Sequence, residues 1–259
     1  MSLNIPDTRQ RELAQRLEHG QQIIATDVAA EFDVSIDTIR RDILSLEAAG
    51  KAERVRGGAV PLARPASPIH ARLATAAPVD MGLVNLAITA IGSAQTLLID
   101  GGVTTLALIA HLPDAADRFV ITPSPWIAIA CQERGIPVFL LGGALSPSGG
   151  IATGEETLGK VLNVAADIAL LGACGIDSEF GLSSDIFEES QMKRAMQRSA
   201  QRTFIITDRS KFGRRARHHT LAWPQIDLLL TDASQTQTEA LSEVGAQILS
   251  AGHCSTTAK

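Results

Sequence analysis

Residues 34–50 read Val34-Ser35-Ile36-Asp37-Thr38-Ile39-Arg40-Arg41-Asp42-Ile43-Leu44-Ser45-Leu46-Glu47-Ala48-Ala49-Gly50. The pattern predicts a helix. Ser35 is a good N-cap, and Ile39, Ile43 and Leu46 recur at helical spacing to make one apolar face. Gly50 offers the left-handed residue on which such a helix ends. With 3.6 residues to a turn, Asp37, Arg41 and Ser45 point away from the apolar face, with Thr38 and Arg40 on its flanks. A short helix with a dry back and a front of hydroxyl and guanidinium groups has the chemistry of a DNA recognition helix. Its back seats it on its own domain, while arginine reaches guanine edges through two hydrogen bonds, or reaches phosphates.

The flanking residues extend this reading. Thr26–Phe32 predicts a short helix capped by Thr26, with Val28 and Phe32 one turn apart. Asp33-Val34 then makes a tight turn into Ser35, giving helix, turn, helix. A further helix over Asp7–Glu18 brings Leu13 and Leu17 to the same small core. Lys51–Arg54 and Gly58–Pro61 are short strands around Val55-Arg56-Gly57, a wing that carries Arg54 and Arg56 toward phosphates or the minor groove. The expected DNA contacts are Thr26, Ser35, Asp37, Thr38, Arg40, Arg41, Arg54 and Arg56. A helical packing module with Arg40 and Arg41 on a solvated face would share the recognition-helix pattern. The ordered set of three helices, double arginine, glycine and arginine-flanked wing favours DNA binding.

On these residues the chain resembles the N-terminal domain of the DeoR family of bacterial transcriptional regulators. The matching positions are Val34, Ser35, Thr38, Ile39, Arg40, Arg41, Asp42, Leu46, Gly50, Arg54, Gly57, Gly58 and Ala59. Ile43 stands where the family usually has leucine, a tolerable core swap.

A chain of 259 residues allows one small and one ordinary domain, and 45% hydrophobic with 20% charged residues is a soluble composition. No apolar run approaches a membrane span and no signal pattern precedes the first helix, so a cytoplasmic protein with no membrane partner is expected. Cys131, Cys174 and Cys254 lack paired spacing and read as reduced thiols, not as a metal or disulfide framework. The net charge is −5, and residues 1–60 hold 8 Lys/Arg against 10 Asp/Glu. Only residues 38–58 lean positive, with 5 Lys/Arg against 3 acids. Such a local field argues against a histone-like coating role and for specific binding by an oligomer. Pro61, Pro65, Pro68 and Pro78 mark a linker over residues 61–78, in which Ile69–Leu73 could form a turn or two of helix. The expected layout is therefore a DNA-binding domain at 1–60, the linker, and a second domain at 79–252.

In that second domain apolar runs alternate with helical stretches. The runs are Thr96–Ile99, Phe119–Ile121, Val138–Leu141, Ile168–Leu171, Thr203–Ile206 and Leu228–Leu230. The helices are Met81–Ile91, Thr105–His111, Trp126–Arg134, Thr157–Asn163, Glu188–Ala200 and Gln237–Ser250. This predicts a doubly wound α/β fold around a mostly parallel sheet, with a ligand beyond the carboxyl ends of the strands. Asp100-Gly101-Gly102-Val103-Thr104-Thr105 follows the first strand and opens a helix, a phosphate cradle without a Walker A or GxGxxG pattern. Thr122-Pro123-Ser124, Gly142-Gly143, Gly172–Asp177 and Asp208-Arg209-Ser210-Lys211 follow later strands. Aspartate accepts sugar hydroxyls, while threonine, lysine and glycine amides hold phosphate. Ordinary turn chemistry would also place glycine and aspartate at strand ends.

From Val84 to Asp232 the chain is similar to the C-terminal sensor domain of the same family. The carrying motifs are Asp100-x-Gly102-x-Thr104-Thr105, Gly142-Gly143, Gly175-Ile176-Asp177 with Gly181, Glu189–Met196, and Ser210-Lys211-Phe212. The resemblance implies a fold like ribose-5-phosphate isomerase and glucosamine-6-phosphate deaminase. It implies a sugar-phosphate effector held by Asp100, Gly101, Gly102, Val103, Thr104, Thr105, Thr122, Ser124, Gly142, Gly143, Gly175, Asp177, Lys193 and Lys211. Val103 replaces a usual serine or threonine, Pro123 a usual asparagine, and Glu155 a frequent proline. The chain then reads as an operator-binding regulator, most naturally a repressor of a sugar or polyol operon, in a homodimer or homotetramer and with no cofactor. The competing reading is a sugar-phosphate isomerase or deaminase fused to a DNA-binding domain, with Asp100, Asp177, Glu189 and Lys193 as acid–base groups. Glu188, Glu189 and Lys193 equally suit a solvated helix face. His218-His219 after Arg214, Arg215 and Arg217 reads as a basic loop, a second phosphate contact or, the favoured reading, a solvated loop.

Overall fold

The structure, a computed structural model, describes residues 5–18, 22–55, 57–61, 67–114 and 117–251. Two compact units divide the chain between residues 64 and 65, with 210–214 grouped in the first.

The first unit holds α1 (Pro6–Glu18), β1 (Ile23–Ile24), α2 (Ala25–Phe32), α3 (Ile36–Ala48), β2 (Ala52–Val55) and β3 (Gly58–Pro61). Its strands form an antiparallel sheet in the order β1-β3-β2. The wing and all three helices stand where the sequence puts them; β1 was not anticipated. Leu13, Leu17, Val28, Phe32, Ile39, Ile43 and Leu46 share one buried cluster. Ser35 accepts the Thr38 amide at 3.1 Å and so caps α3. Asp33, at φ 54°, makes the left-handed turn between α2 and α3. Gly58 lies against the Ile23 backbone, where a Cβ would overlap it, so β1 and β3 can pair only over a glycine. One expectation fails: Thr26 is no N-cap. Helix α2 starts a residue earlier, Ile24 caps it without a side-chain bond, and the Thr26 hydroxyl donates to Asp27 at 2.9 Å.

Asp42 is the polar exception on the dry face of α3. Its Oδ1 accepts Arg9 Nη2 at 3.2 Å and Gln10 Nε2 at 3.0 Å, with the Arg9 and Asp42 side chains each 4% exposed. The pair joins α1 to the back of α3.

The second unit contains α4 (Ile69–Thr75), α5 (Met81–Ile91), β4 (Thr96–Ile99), α6 (Val103–His111), β5 (Phe119–Thr122), α7 (Pro125–Glu133) and β6 (Val138–Leu140). It continues with β7 (Ala144–Leu145), β8 (Ala152–Thr153), α8 (Glu155–Leu162), β9 (Ala166–Gly172), β10 (Gly175–Asp177), β11 (Gly181–Ser184), α9 (Phe187–Arg198) and β12 (Ala200–Thr207). It ends with β13 (His218–Leu221), β14 (Leu228–Thr231), α10 (Gln235–Glu243) and β15 (Ile248–Ser250). Seven strands form one sheet in the order β15-β14-β12-β9-β4-β5-β6, and every pairing in it is parallel. The fold is the doubly wound α/β arrangement. Leu97, Ile99, Ile168, Leu170, Phe204 and Ile206 face a core shared with α5, α6 and α7. The alternating Leu98, Ala169, Leu171 and Ile205 are buried on the other face. There α9 packs on β9 and β12.

Two expectations are corrected here. The helix drawn over Gln237–Ser250 stops at Glu243, and Gly245 at φ 78° turns the chain into the edge strand β15. His218-His219 is not a loop but the start of β13, paired with β11, its imidazoles edge-on to Phe187 and Phe180. The expected contact Arg56, linker residue Pro65 and Cys254 lie outside the described residues.

Because the Arg9–Asp42 pair is buried, Asp42→Ala removes the carboxylate that the Arg9 guanidinium faces and opens a gap behind α3. Loss of about 3 kcal/mol from the N-terminal unit is expected, seen as an earlier urea transition in the full chain. An unchanged midpoint would refute the structural role.

Candidate functional site

Two surfaces carry the functional candidates. On α3, Asp37, Arg40, Arg41 and Ser45 are exposed and Thr38 is half-buried, opposite the buried Ile39, Asp42, Ile43 and Leu46. Arg40 bonds Asp37 at 3.0 Å, an exposed pair that DNA can compete for at little cost. Ser45 donates to the Arg41 carbonyl at 3.1 Å. Arg54 on β2 sits 3.7 Å from Glu47 of α3. Ser35 is used as a cap, and Thr26 lies exposed on the first turn of α2. The recognition face is therefore a strip of exposed polar groups held rigid from behind.

The second surface lies at the carboxyl ends of the parallel strands. Asp100 follows β4 and is 1% exposed. Its Oδ2 is ion-paired with Lys193 Nζ from α9 and accepts the Gly172 amide from β9 at 3.2 Å. Its Oδ1, fully buried, has no hydrogen-bond partner among the described residues. Burying a carboxylate oxygen without a donor is costly. Burial pushes the Lys193 ammonium down, but Asp100, Cys174 and Glu189 together outweigh it and hold the group above its ordinary value. Lys193 is thus a fixed cation, one helical turn from Glu189.

Beside Asp100 the chain enters α6. Its first-turn amides, Val103, Thr104 and Thr105, have no acceptors within the helix and carry the positive end of its dipole. Val103 supplies the first of these amides whatever its side chain, so exchange of a hydroxyl for a methyl at this position leaves the amide array intact. Gly101 permits the tight approach of this loop to Ile151 and Ser124, since a Cβ would fall 2.5 Å from Ile151 Cγ2. The buried Ser124 lies against the same side of Gly101, 3.3 Å from that Cβ position.

Other expected contacts are engaged elsewhere. Thr105 donates to the Gly102 carbonyl at 3.1 Å. Thr122 donates to the Ile99 carbonyl at 2.6 Å and accepts the Ser124 amide at 3.1 Å, a strap between β4 and β5. The Gly142 carbonyl accepts from Thr157 at 2.7 Å, and a Cβ on Gly143 would fall 2.8 Å from the Thr153 carbonyl. That pair of glycines therefore serves the packing of α8. Gly175 pairs with Ser183 in the small sheet of β10, β11 and β13. Asp177 caps a turn by accepting the Glu179 and Phe180 amides and pairs with Arg215 at 2.9 Å. Lys211 lies in a 3-10 turn, Arg209–Lys211, within the segment grouped with the first unit. Asp100, Gly101, Val103, Thr104, Ser124 and Lys193 are left as the neighbourhood of one strand end.

Sequence reasoning passed over the far wall of this site. Glu189 of α9 accepts the Gly149 amide at 2.9 Å and the Ser146 hydroxyl through the same Oε1. Neither residue has a motif to advertise it. A groove of about 590 Å³ beside α7 and β6, lined by Pro125, Ile129, Ile136 and Leu140, offers no charge to an anionic ligand. Burial raises the Cys131 thiol to about 11 and also raises that of Cys174, so both are protonated at neutral pH. No helix among the described residues is long and apolar enough to cross a membrane.

Comparison with known proteins identifies the family. Residues 9–64 match the DeoR-like helix-turn-helix domain, and residues 83–233 match the DeoR C terminal sensor domain. The HTH-type transcriptional repressor GlcR of Bacillus subtilis (strain 168) is 30% identical over 90% of this chain and 92% of its own length. The glycerol-3-phosphate regulon repressor of Escherichia coli (strain K12) is also 30% identical, over 82% of this chain and 86% of its own. A D-ribose-5-phosphate isomerase solved with phospho-erythronic acid aligns at a TM-score of 0.38 and 18% identity, over 50% of this chain and 51% of that chain. The chain belongs to the DeoR family: it is a DNA-binding transcriptional regulator and not an enzyme.

Burial pushes the Asp177 carboxyl up, but Arg215 and the Phe180 and Glu179 amides prevail and hold it below its ordinary value. Its stabilising contribution is therefore full above the unfolded value of about 3.9 and is lost as pH falls through the folded one. Asp177→Asn should lower the urea midpoint at pH 7, and the gap to the native protein should narrow at pH 3. A gap of equal size at both would contradict the pairing.

Proposed function

We propose that this chain represses a sugar or polyol catabolic operon, and that a phosphorylated sugar or polyol bound in the second unit modulates its hold on the operator. The single observation that carries the ligand reading is the buried, unpartnered Oδ1 of Asp100. An oxygen left in that state is suited to a ligand hydroxyl, and the ion pair with Lys193 holds the carboxyl group in place. The amides that open α6 supply a phosphate seat within the same loop. A hydroxyl acceptor beside an anion seat selects a ligand that carries both groups. The effector-contact reading accordingly centres on Asp100, Gly101, Val103, Thr104, Ser124 and Lys193. A relative named as a glycerol-3-phosphate regulon repressor supports the same ligand class.

On the DNA side, Arg41 reads base edges from the exposed face of α3, while Arg40 and Arg54 serve phosphates. Two half-sites require two copies of α3, so the acting form is at least a homodimer. A ligand shifts operator affinity only as far as it prefers one arrangement over the other.

Two outcomes test this reading. A thermal-shift panel of pentose, hexose and polyol phosphates, each beside its unphosphorylated parent, should show one phosphate raising the melting temperature while its parent does not. Stabilisation by free sugars alone, or by none of the panel, would overturn the phosphate seat. Arg41→Ala should weaken operator binding about tenfold or more and relax the base preference, for a loss of ~1–3 kcal/mol of discrimination. An unchanged footprint would remove Arg41 from the reading role.

A further inference from the structure

The loop at residues 146–150 is fastened on two sides. On one side Glu189 Oε1 takes the Gly149 amide at 2.9 Å and the Ser146 hydroxyl. On the other, the Ser148 carbonyl accepts the Ile69 amide at 2.9 Å and Arg72 Nη2 at 3.3 Å. Ile69 and Arg72 belong to α4, the first element of the second unit after the linker. Arg72 also donates to the Ser67 carbonyl at 2.9 Å, which anchors the residues leading into α4. Glu189 and Lys193 sit one turn apart on α9, and Lys193 is the ion-pair partner of Asp100. The packing is close: a Cβ on Gly149 would overlap the Glu189 carboxylate, and one on Gly150 would overlap Ile69.

From this we infer that the 146–150 loop is a relay, which carries the occupancy of Asp100 through Lys193 and Glu189 to the linker helix α4. The inference rests on the ligand reading above and adds the route by which binding leaves the pocket. Lys193 is ion-paired with Asp100, and Glu189, one turn away on α9, adds to the field that keeps its charge. A donor arriving on Asp100 weakens the Asp100 hold on Lys193. The ammonium then turns toward Glu189, whose Oε1 must loosen its grip on Gly149 and Ser146. The Ser148 carbonyl shifts with its loop, and α4 loses its Ile69 and Arg72 anchors. Each step exchanges one hydrogen-bonded arrangement for another, as a two-state element requires.

Backbone hydrogen exchange in the full-length chain tests the route without any ligand. Asp100→Asn removes the competing charge, so the Gly149 and Ile69 amides should exchange about tenfold faster than in the native protein. Adding Glu189→Gln, which keeps an oxygen for Gly149 but no charge for Lys193, should restore their protection. Such non-additivity is the mark of coupling. Gly149→Ala leaves the Asp100–Lys193 pair intact and forces Glu189 aside; it should speed Ile69 exchange by itself, and it serves if Asp100→Asn does not fold. Faster exchange confined to Gly101, Gly102 and Gly172 in Asp100→Asn would overturn the relay, as would equal exchange in the single and double variants. A second arm separates the two readings. If D-glucose 6-phosphate, sn-glycerol 3-phosphate or D-ribose 5-phosphate raises the melting temperature yet leaves Gly149 and Ile69 unmoved, the relay fails and the sensor reading stands. If the variants behave as expected and none of the three binds, the relay is supported and their class is excluded as effector.

Discussion

Asp100 is the constraint around which the second unit is organised. A parallel sheet delivers all its carboxyl ends to one edge, and β4 lies near its centre, between β9 and β5. The residue after β4 is therefore enclosed by neighbouring strand ends and by α9. A buried carboxylate placed there is costly without a cation and donors. Lys193 and the Gly172 amide satisfy one oxygen and leave the other buried with no partner. A protein optimised for stability alone would gain by filling that position with an apolar side chain.

The first unit solves a different problem. A recognition helix must expose arginines on one side and be immobile on the other. Ile39, Ile43 and Leu46 provide the apolar back, and the buried Arg9–Asp42 pair fixes α1 against it. Apolar packing alone tolerates small rotations. A charged pair with defined geometry resists them, because misalignment leaves two buried charges unsatisfied. The Arg-Arg-Asp run thus divides its labour: Arg40 and Arg41 face outward, and Asp42 faces in.

Much of this was legible in the sequence where local chemistry decides structure. Ser35, the spacing of Ile39, Ile43 and Leu46, and Gly50 specify α3 unaided. Six of the seven strands of the main sheet announce themselves as apolar runs; β4, β9, β12 and β14 do so because strands buried on both faces need no alternation. What escaped depends on partners distant in the chain. Strand β1 has two residues and exists only because Gly58 lets Ile23 and Ile24 pair. β15 was absorbed into a helix because apolar spacing continues past Gly245. Asp100 and Lys193 were each singled out, but only the topology brings together residues 93 apart. Glu189 was placed on the right helix with the alternative of a solvated face. The structure turns it inward onto Ser146 and Gly149, a loop without sequence features. Thr122 and the Gly142-Gly143 pair show the reverse case, motifs whose polar atoms are used within the fold.

The central claim is that one chain links a small anionic ligand at Asp100 to a protein–DNA equilibrium. The most direct measurement is the fluorescence anisotropy of a labelled operator duplex titrated with the full-length protein, with and without a sugar phosphate shown to bind. Saturating ligand should shift the operator Kd at least about fivefold, the lower end of ordinary coupling energies. By linkage, operator DNA must then shift the ligand Kd by the same factor. An operator affinity indifferent to a ligand that binds the same protein would contradict that claim.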